Sequence, residues 1–237
     1  MRALILAAGR GTRLEIDSSL PKCLTTVGDR SLLDRYLDVL DTLNIPVTIV
    51  VGHGASHIRD HVAARAIAPA LITNERYTEG SVVSLLTGLR ALRVDDARGD
   101  LLLLDGDVAF TPALLERLCH HSAPNALLVD IGTIFTDEQY MAGINTGRVV
   151  ALRRGPVDGH ASQGEWVGFA KLSATTTTQF YSAVCEQVAR GENSGGYEDA
   201  LAGLLATHHF TAVATEDEPW VEIDFADDLA RARALFG

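Results

Sequence analysis

Arg10, Arg13 and Lys22 surround two glycines, Gly9 and Gly11, near the start of the chain. Glycine lets a backbone approach a ligand closely and take positive φ where needed. Successive free N–H groups in such a turn form an anion-binding concavity. With three cations added, the stretch describes a polyphosphate site. Far along the chain stand two aspartates, Asp107 within Asp105-Gly106-Asp107 and Asp224 within Glu222-Ile223-Asp224. Mg²⁺ prefers oxygen ligands and is commonly held by one or two carboxylates plus substrate phosphates. Taken singly, Asp107 reads as a turn residue beside glycine and Asp224 as a helix cap. Set against a polyphosphate loop, the pair reads better as a Mg²⁺ site.

The glycine pattern excludes two familiar phosphate loops. No Gly-Lys-Ser/Thr follows, so it is not a P-loop, and the third glycine of a dinucleotide-binding fingerprint is missing.

These residues need elements to bring them together. Apolar residues 3–8 form a buried strand that empties into the glycine turn. An amphipathic helix over 31–44 follows, carrying Leu32, Leu33, Tyr36, Leu37, Leu40 and Leu43 at helical spacing. Next come strand 47–51, helix 56–65, strand 71–73, a polar loop over 74–81, helix 82–92 and strand 101–104. Continuous apolar strands alternating with helices mean a parallel sheet covered on both faces. Ligands of such sheets bind at the carboxyl ends of the strands. The glycine turn, the 74–81 loop and the Asp105-Gly106-Asp107 turn all fall there. From about residue 125 the pattern changes. Strands over 126–133, 149–153 and 163–171 form a mixed extension, with helices over 176–190, 197–207 and 227–236 and short strands over 210–215 and 221–223. The expected fold is α/β, three-layered and Rossmann-like: a mixed, mostly parallel sheet with helices on both faces and a small extension.

The chain has 237 residues, enough for one domain with a full core. Its net charge of −11 argues against nucleic acid as a partner, because a basic face supplies most of that affinity. No apolar run of about 18 residues exists, so no membrane span is expected. The first residues read as a strand rather than a signal peptide. Cys23, Cys119 and Cys185 have neither metal-ligand spacing nor an even count, so a reducing, cytoplasmic setting is expected. Cys23 reads as packing rather than as a nucleophile.

The run Leu6-Ala7-Ala8-Gly9, then Gly11-Thr12-Arg13-Leu14, then Pro21-Lys22, resembles the signature of the sugar-nucleotidyltransferase superfamily. The resemblance is strong to Asp107, then thinner at 164–171, 197–201 and 222–229. It implies that the loop, including Gly11 and Thr12, holds a nucleoside triphosphate. Lys22 would contact the reacting phosphates, Arg10 and Arg13 the departing pyrophosphate, and Asp107 and Asp224 the catalytic Mg²⁺. Leu6, Ala8, Gly9, Asn74, Gly80 and Ser81 would lie near base and ribose, with Asp105 in support. The similar branch comprises cytidylyltransferases for phosphocholine and small phosphonates, which implies CTP as the donor. The valine-glutamate-lysine-proline stretch frequent in sugar-1-phosphate enzymes is not found. The acceptor would meet Glu165, Trp166, Lys171, Tyr197 and Glu198. An aromatic cage for choline, by the cation–π argument, would draw on Trp166, Tyr197 and Trp220. Few other aromatics are available, so a small phosphonate of the 2-aminoethyl-, 2-hydroxyethylphosphonate or phosphonoformate type is favoured. Phosphocholine, a sugar 1-phosphate or a non-catalytic regulatory subunit are the alternatives. One domain is expected, with 1–124 as nucleotide-binding core and 125–237 holding the acceptor and completing the metal site. No residue decides between monomer and homodimer.

Overall fold

In a computed structural model of the chain, residues 1–14, 20–66, 68–94, 99–131, 133 and 139–237 are described, Thr12 through its backbone alone. The expected role of the Thr12 side chain therefore lies outside the described residues. The elements run in order β1 (Arg2–Ala7), β2 (Thr26–Val27), β3 (Arg30–Ser31), α1 (Leu32–Thr42), β4 (Val47–Val51), α2 (Ala55–Ala63), β5 (Ala70–Thr73), α3 (Ser81–Ala91), β6 (Leu101–Asp105) and β7 (Val108–Phe110). They continue with α4 (Pro112–His120), β8 (Ala126–Ile131), β9 (Tyr140–Asn145), β10 (Arg148–Arg154), β11 (Ser162–Leu172), α5 (Ala174–Ala189), α6 (Glu198–Leu204), β12 (Phe210–Ala214), β13 (Trp220–Glu222) and α7 (Ala226–Phe236).

Among the described residues one nine-stranded sheet has the order β5-β4-β1-β6-β11-β8-β12-β10-β9. The first four strands are parallel, as their continuous apolar sequences require. β11 runs antiparallel to both β6 and β8 and so joins the parallel half to the mixed half. Alternate residues of β1 feed opposite faces. Leu4 packs with α3, α5 and α6, whereas Ala3 and Ile5 pack with α1, α2 and α4. These are the three expected layers.

The sequence reading did not foresee α4 or β9. Helix α4 was legible: Thr111 stands at its N-cap, proline occupies its first turn, and Leu114, Leu115 and Leu118 are buried on one face. β9 and β10 form a hairpin through Thr146 and Gly147, both at positive φ (49° and 75°), the conformation of a two-residue type I′ turn.

Candidate active site

At the carboxyl end of β1 the chain turns through residues 8–11. Gly11 has φ +58°, and a Cβ there would meet Lys22 Cβ at 3.2 Å. The turn is thus folded closely against the lysine stem. The resulting cavity, about 470 Å³, is walled by Leu6, Gly9, Arg10, Gly11, Arg13 and Lys22 and by Tyr77, Thr78, Gly106, Asp107 and Asp224. The Arg10 guanidinium lies 5.8 Å from the Tyr77 ring centre, which holds it on one wall. Cys23 also borders the cavity, and its thiol is pushed up to about 12, first by burial and then by the charge of Asp107. That keeps it protonated and makes it packing, not a nucleophile.

The distant aspartates meet because β7 pairs with β13. Glu222 stands opposite Val108, and the Ile223 N–H donates to the Asp107 carbonyl at 3.0 Å. Carboxylate oxygens of Asp107, Glu222 and Asp224 then lie within 4.8 Å of one another. Asp107 Oδ1 is buried and has no hydrogen-bond partner among the described residues. A hard divalent cation suits this donor set. The Lys22 ammonium sits between two of the three, donating to Asp107 Oδ2 at 2.9 Å and Asp224 Oδ1 at 2.5 Å. Burial pulls the lysine's pKa down, but the charges of Asp107 and Asp224 outweigh it and the net shift is upward. Glu222 was missed as a site residue. It lies two residues before Asp224, and strand periodicity puts both on one face. Its side chain is solvent-exposed at the cleft, where partial desolvation, then the charges of Asp107 and Asp224, push its carboxyl up to about 8.

A second cavity of about 710 Å³ shares Arg13 and Asp224 with the first. Asp105, Glu165, Trp166 and Glu198 border it, as do Asp130, Tyr140, Arg154, Trp220, Glu222, Asp228 and Arg231. β11 bends across β6 here: Gly168 has φ +86°, and a Cβ at this position would lie 2.7 Å from Asp105 Oδ2.

The structure therefore gathers Leu6, Gly9, Arg10, Gly11, Arg13, Lys22, Asp107 and Asp224 around one cavity, and Glu165, Trp166 and Glu198 around the next. The other expected site residues with described side chains, apart from Asp105, line neither cavity and make contacts within the protein. Lys171 lies six residues beyond Glu165 on β11, roughly 20 Å away at strand rise. Its Nζ donates to the His121 carbonyl at 2.7 Å and the Cys119 carbonyl at 3.4 Å, closing the end of α4. Tyr197 is 1% exposed, and its hydroxyl lies 2.9 and 2.8 Å from the two Asp105 carboxylate oxygens. Asp105 faces the second cavity rather than the nucleotide pocket, and burial, then the charges of Asp107 and Glu198, raise its carboxyl far above the usual range. Asn74 donates to Ser84 Oγ at 3.0 Å and accepts from the Arg76 N–H at 2.9 Å, which shapes the loop. Ser81 Oγ accepts from the Tyr197 N–H at 3.3 Å, Gly80 packs on Asn193, and the Ala8 carbonyl accepts from the His53 N–H at 3.1 Å. Of the expected cage residues, Trp166 and Trp220 border the second cavity beside Tyr140 and Phe225, whereas Tyr197 packs edge to face on Trp166 in the core at 5.9 Å; the Trp220 indole N–H donates to Asp130 at 2.9 Å.

Two predictions arise here. Lys171→Met is expected to destabilise the fold by about 1.5–3 kcal/mol, through loss of charged hydrogen bonds to two carbonyls, and to leave the KM for every substrate unchanged. Chemical denaturation and steady-state kinetics check the two halves. The second prediction concerns pH. Burial, followed in opposite sense by a hydrogen bond from Gln139, leaves Glu165 pushed up to about 7. Below the unfolded pKa both states are protonated and no cost arises. Between there and about 7 the folded state holds the extra proton, so stability falls as pH rises, and the loss is complete above that. Its size is on the order of 3 kcal/mol. Glu165→Gln is expected to flatten the stability profile between pH 5 and 8, measured by urea denaturation. An unchanged slope would contradict it.

A model of the MobA-like NTP transferase domain family matches residues 3–158. CMP-5'-(3-aminopropyl)phosphonate synthase of Streptomyces rubellomurinus is 32% identical over 251 aligned residues, covering all of this chain and 39% of that protein. The bifunctional protein GlmU of Paraburkholderia phymatum is 39% identical over 120 residues, half of this chain and a quarter of that protein. The chain thus spans about two fifths of the former's length and aligns with only a quarter of the latter's. Among solved structures, the CTP:phosphocholine cytidylyltransferase of Streptococcus pneumoniae superposes with a TM-score of 0.78 at 17% identity, covering 100% of this chain and 99% of the other. The inositol-1-phosphate CTP transferase of T. maritima gives 0.79 at 17% identity, covering 99% and 94%. These neighbours share the fold, and the family match covers the glycine turn, Lys22 and Asp107 together; the chain belongs to the MobA-like NTP transferase domain family.

Proposed function

We propose that the chain transfers CMP from CTP to a small phosphonate or phosphomonoester and releases pyrophosphate, as a cytoplasmic Mg²⁺-dependent cytidylyltransferase. One observation carries this reading: a cation-lined cavity and an acceptor-sized cavity share Arg13 and Asp224, with the Lys22 ammonium bound to Asp224 where they meet. The acceptor oxygen attacks the α-phosphorus in line. It is already anionic, so no general base is needed. The chain must hold two anions against each other and offset their repulsion. Lys22 serves both, while Arg10, Arg13 and the loop amides hold the leaving pyrophosphate. Mg²⁺ held by Asp107, Glu222 and Asp224 would neutralise charge on the phosphates. The protein's share is positioning and preorganised electrostatics. CTP as donor draws support from the relative and neighbours named for cytidylyl transfer.

The test is a pyrophosphate-release screen of CTP, UTP, dTTP and GTP against phosphonates, phosphomonoesters and hexose 1-phosphates. CTP with a small phosphonate is expected to turn over fastest. Faster turnover of UTP or dTTP with a hexose 1-phosphate would replace this reading by a sugar nucleotidyltransferase. Nucleotide binding without turnover on any acceptor would make the chain a regulatory subunit.

A further inference from the structure

We propose that Tyr36 is a positioning residue for the carboxylate cluster: its hydroxyl sets the opening of the turn from Asp105 to Val108 and so fixes the direction of Asp107. The inference rests on the Mg²⁺ site of the proposed reaction and deepens it.

Tyr36 stands on α1, buried in the layer that packs with Ala3 and Ile5 of β1. Edge-to-face contacts with Phe110 at 4.7 Å and Phe169 at 5.6 Å hold its ring. From there the hydroxyl reaches the turn between β6 and β7. It donates to the Asp105 carbonyl at 2.5 Å and accepts from the Val108 N–H at 3.1 Å. A phenolic hydroxyl can do both at once.

Those two groups are the first carbonyl and the fourth N–H of a four-residue turn. In an ordinary β-turn they bond to each other. Here the hydroxyl is inserted between them, and the turn is held open around Asp107. Other contacts fix the remaining residues. The Gly106 N–H donates to the Leu6 carbonyl at 3.0 Å, and a Cβ at Gly106 would lie 2.7 Å from that oxygen, so the turn already sits at closest approach to β1. The Asp107 carbonyl accepts from the Ile223 N–H at 3.0 Å. With its neighbours pinned, the carboxylate of Asp107 takes its direction from the width of the turn. That direction puts Oδ2 on Lys22 at 2.9 Å and brings a carboxylate oxygen into the cluster with Glu222 and Asp224.

A buried hydroxyl that needed only a partner could use any single carbonyl. This one bridges both ends of the turn that carries a candidate metal ligand. Side chains that orient metal ligands in this way are worth about 10–100-fold in metal affinity or activity. In the sequence, Tyr36 is one more residue of the buried face of α1.

The test titrates Mn²⁺ into the nucleotide-free protein and follows the free ion by EPR. Wild type, Asp107→Asn, Tyr36→Phe and Val39→Ala are compared. The site in question is the Mn²⁺ that Asp107→Asn removes. Tyr36→Phe keeps the ring and lets the Asp105 carbonyl and Val108 N–H close on each other, so it is expected to melt within a few degrees of the wild type. Its Kd for Mn²⁺ is expected to rise about 10–100-fold, and the Mg²⁺ needed for half-maximal turnover to rise in parallel. Val39→Ala, a buried change on the same helix, is expected to lower the melting temperature and leave that Kd unchanged. A Kd in Tyr36→Phe within about threefold of the wild type, well under the expected change, would overturn the inference. Loss of the folded protein in Tyr36→Phe would also overturn it, because the tyrosine would then serve the core alone. A wild type with no Mn²⁺ site that Asp107→Asn removes would withdraw the metal site and the inference together.

Discussion

Lys22→Ala is expected to lower kcat by about 10²-fold or more, the scale of losing a preorganised donor at the reacting centre. The ammonium is fixed between Asp107 and Asp224 at 2.9 and 2.5 Å, so it does not search for its position when substrates arrive. It also binds Asp224, a residue that both cavities share. The variant separates this role from metal binding. Removing the lysine relieves Asp107 and Asp224 of a competing cation, so Mg²⁺ affinity is expected to hold or rise while turnover falls. Lys22→Arg is not conservative, because a planar fork cannot occupy the place of a compact ammonium between two carboxylates. It is expected to remain within tenfold of the alanine variant. Unchanged turnover in Lys22→Ala, measured under saturating CTP and Mg²⁺, would remove the lysine from the mechanism.

Asp107→Asn is expected to reduce kcat by two to three orders of magnitude and to raise the Mg²⁺ concentration needed for half-maximal rate. Asp107 offers a buried Oδ1 with no hydrogen-bond partner among the described residues and stands in the turn between β6 and β7. The same change lowers repulsion on Glu222, whose carboxyl is raised by desolvation first and by Asp107 next. Lys22 keeps its bond to Asp224. The metal-free variant is therefore expected to melt within a few degrees of the wild type, so lost activity cannot be assigned to unfolding. Calorimetric melting, together with Mg²⁺ titrations of turnover, checks both statements. Full activity at ordinary Mg²⁺ would show that Asp107 holds no catalytic ion.

The lining of the first cavity was legible because it is local. Leu6 lies at the end of β1, Gly9 and Gly11 stand in the turn that follows, Lys22 comes a short way on in sequence, and glycines and cations in that order have few other uses. Asp107 and Asp224 were legible as strand-end carboxylates, although their meeting depends on the pairing of β7 with β13, across more than a hundred residues. Glu222 was lost beside Asp224 because a single aspartate already satisfied the pattern.

The lining of the second cavity was read less well, for reasons of depth and register. Along an extended strand like β11, residues spaced by two share a face whatever their distance from the site. Glu165 and Lys171 thus look equivalent in sequence, yet one lines the cavity and the other closes α4. Tyr197 and Glu198 are neighbours at the start of α6, but the tyrosine points into the core while the glutamate reaches the cavity. Asp130, Asp228 and Arg231 enter from β8 and α7, and nothing in sequence placed them at one wall. Helix α4 went unread although its cap, proline and leucine spacing were all present.

The most direct test of the central claim is ³¹P NMR of the purified protein with CTP, Mg²⁺ and 2-aminoethylphosphonate. Growth of pyrophosphate, matched mole for mole by a new coupled pair of signals from a phosphonate–phosphate anhydride, is the predicted result. Pyrophosphate that forms at the same rate without the acceptor, or no anhydride signal with any phosphonate or phosphomonoester, would contradict it.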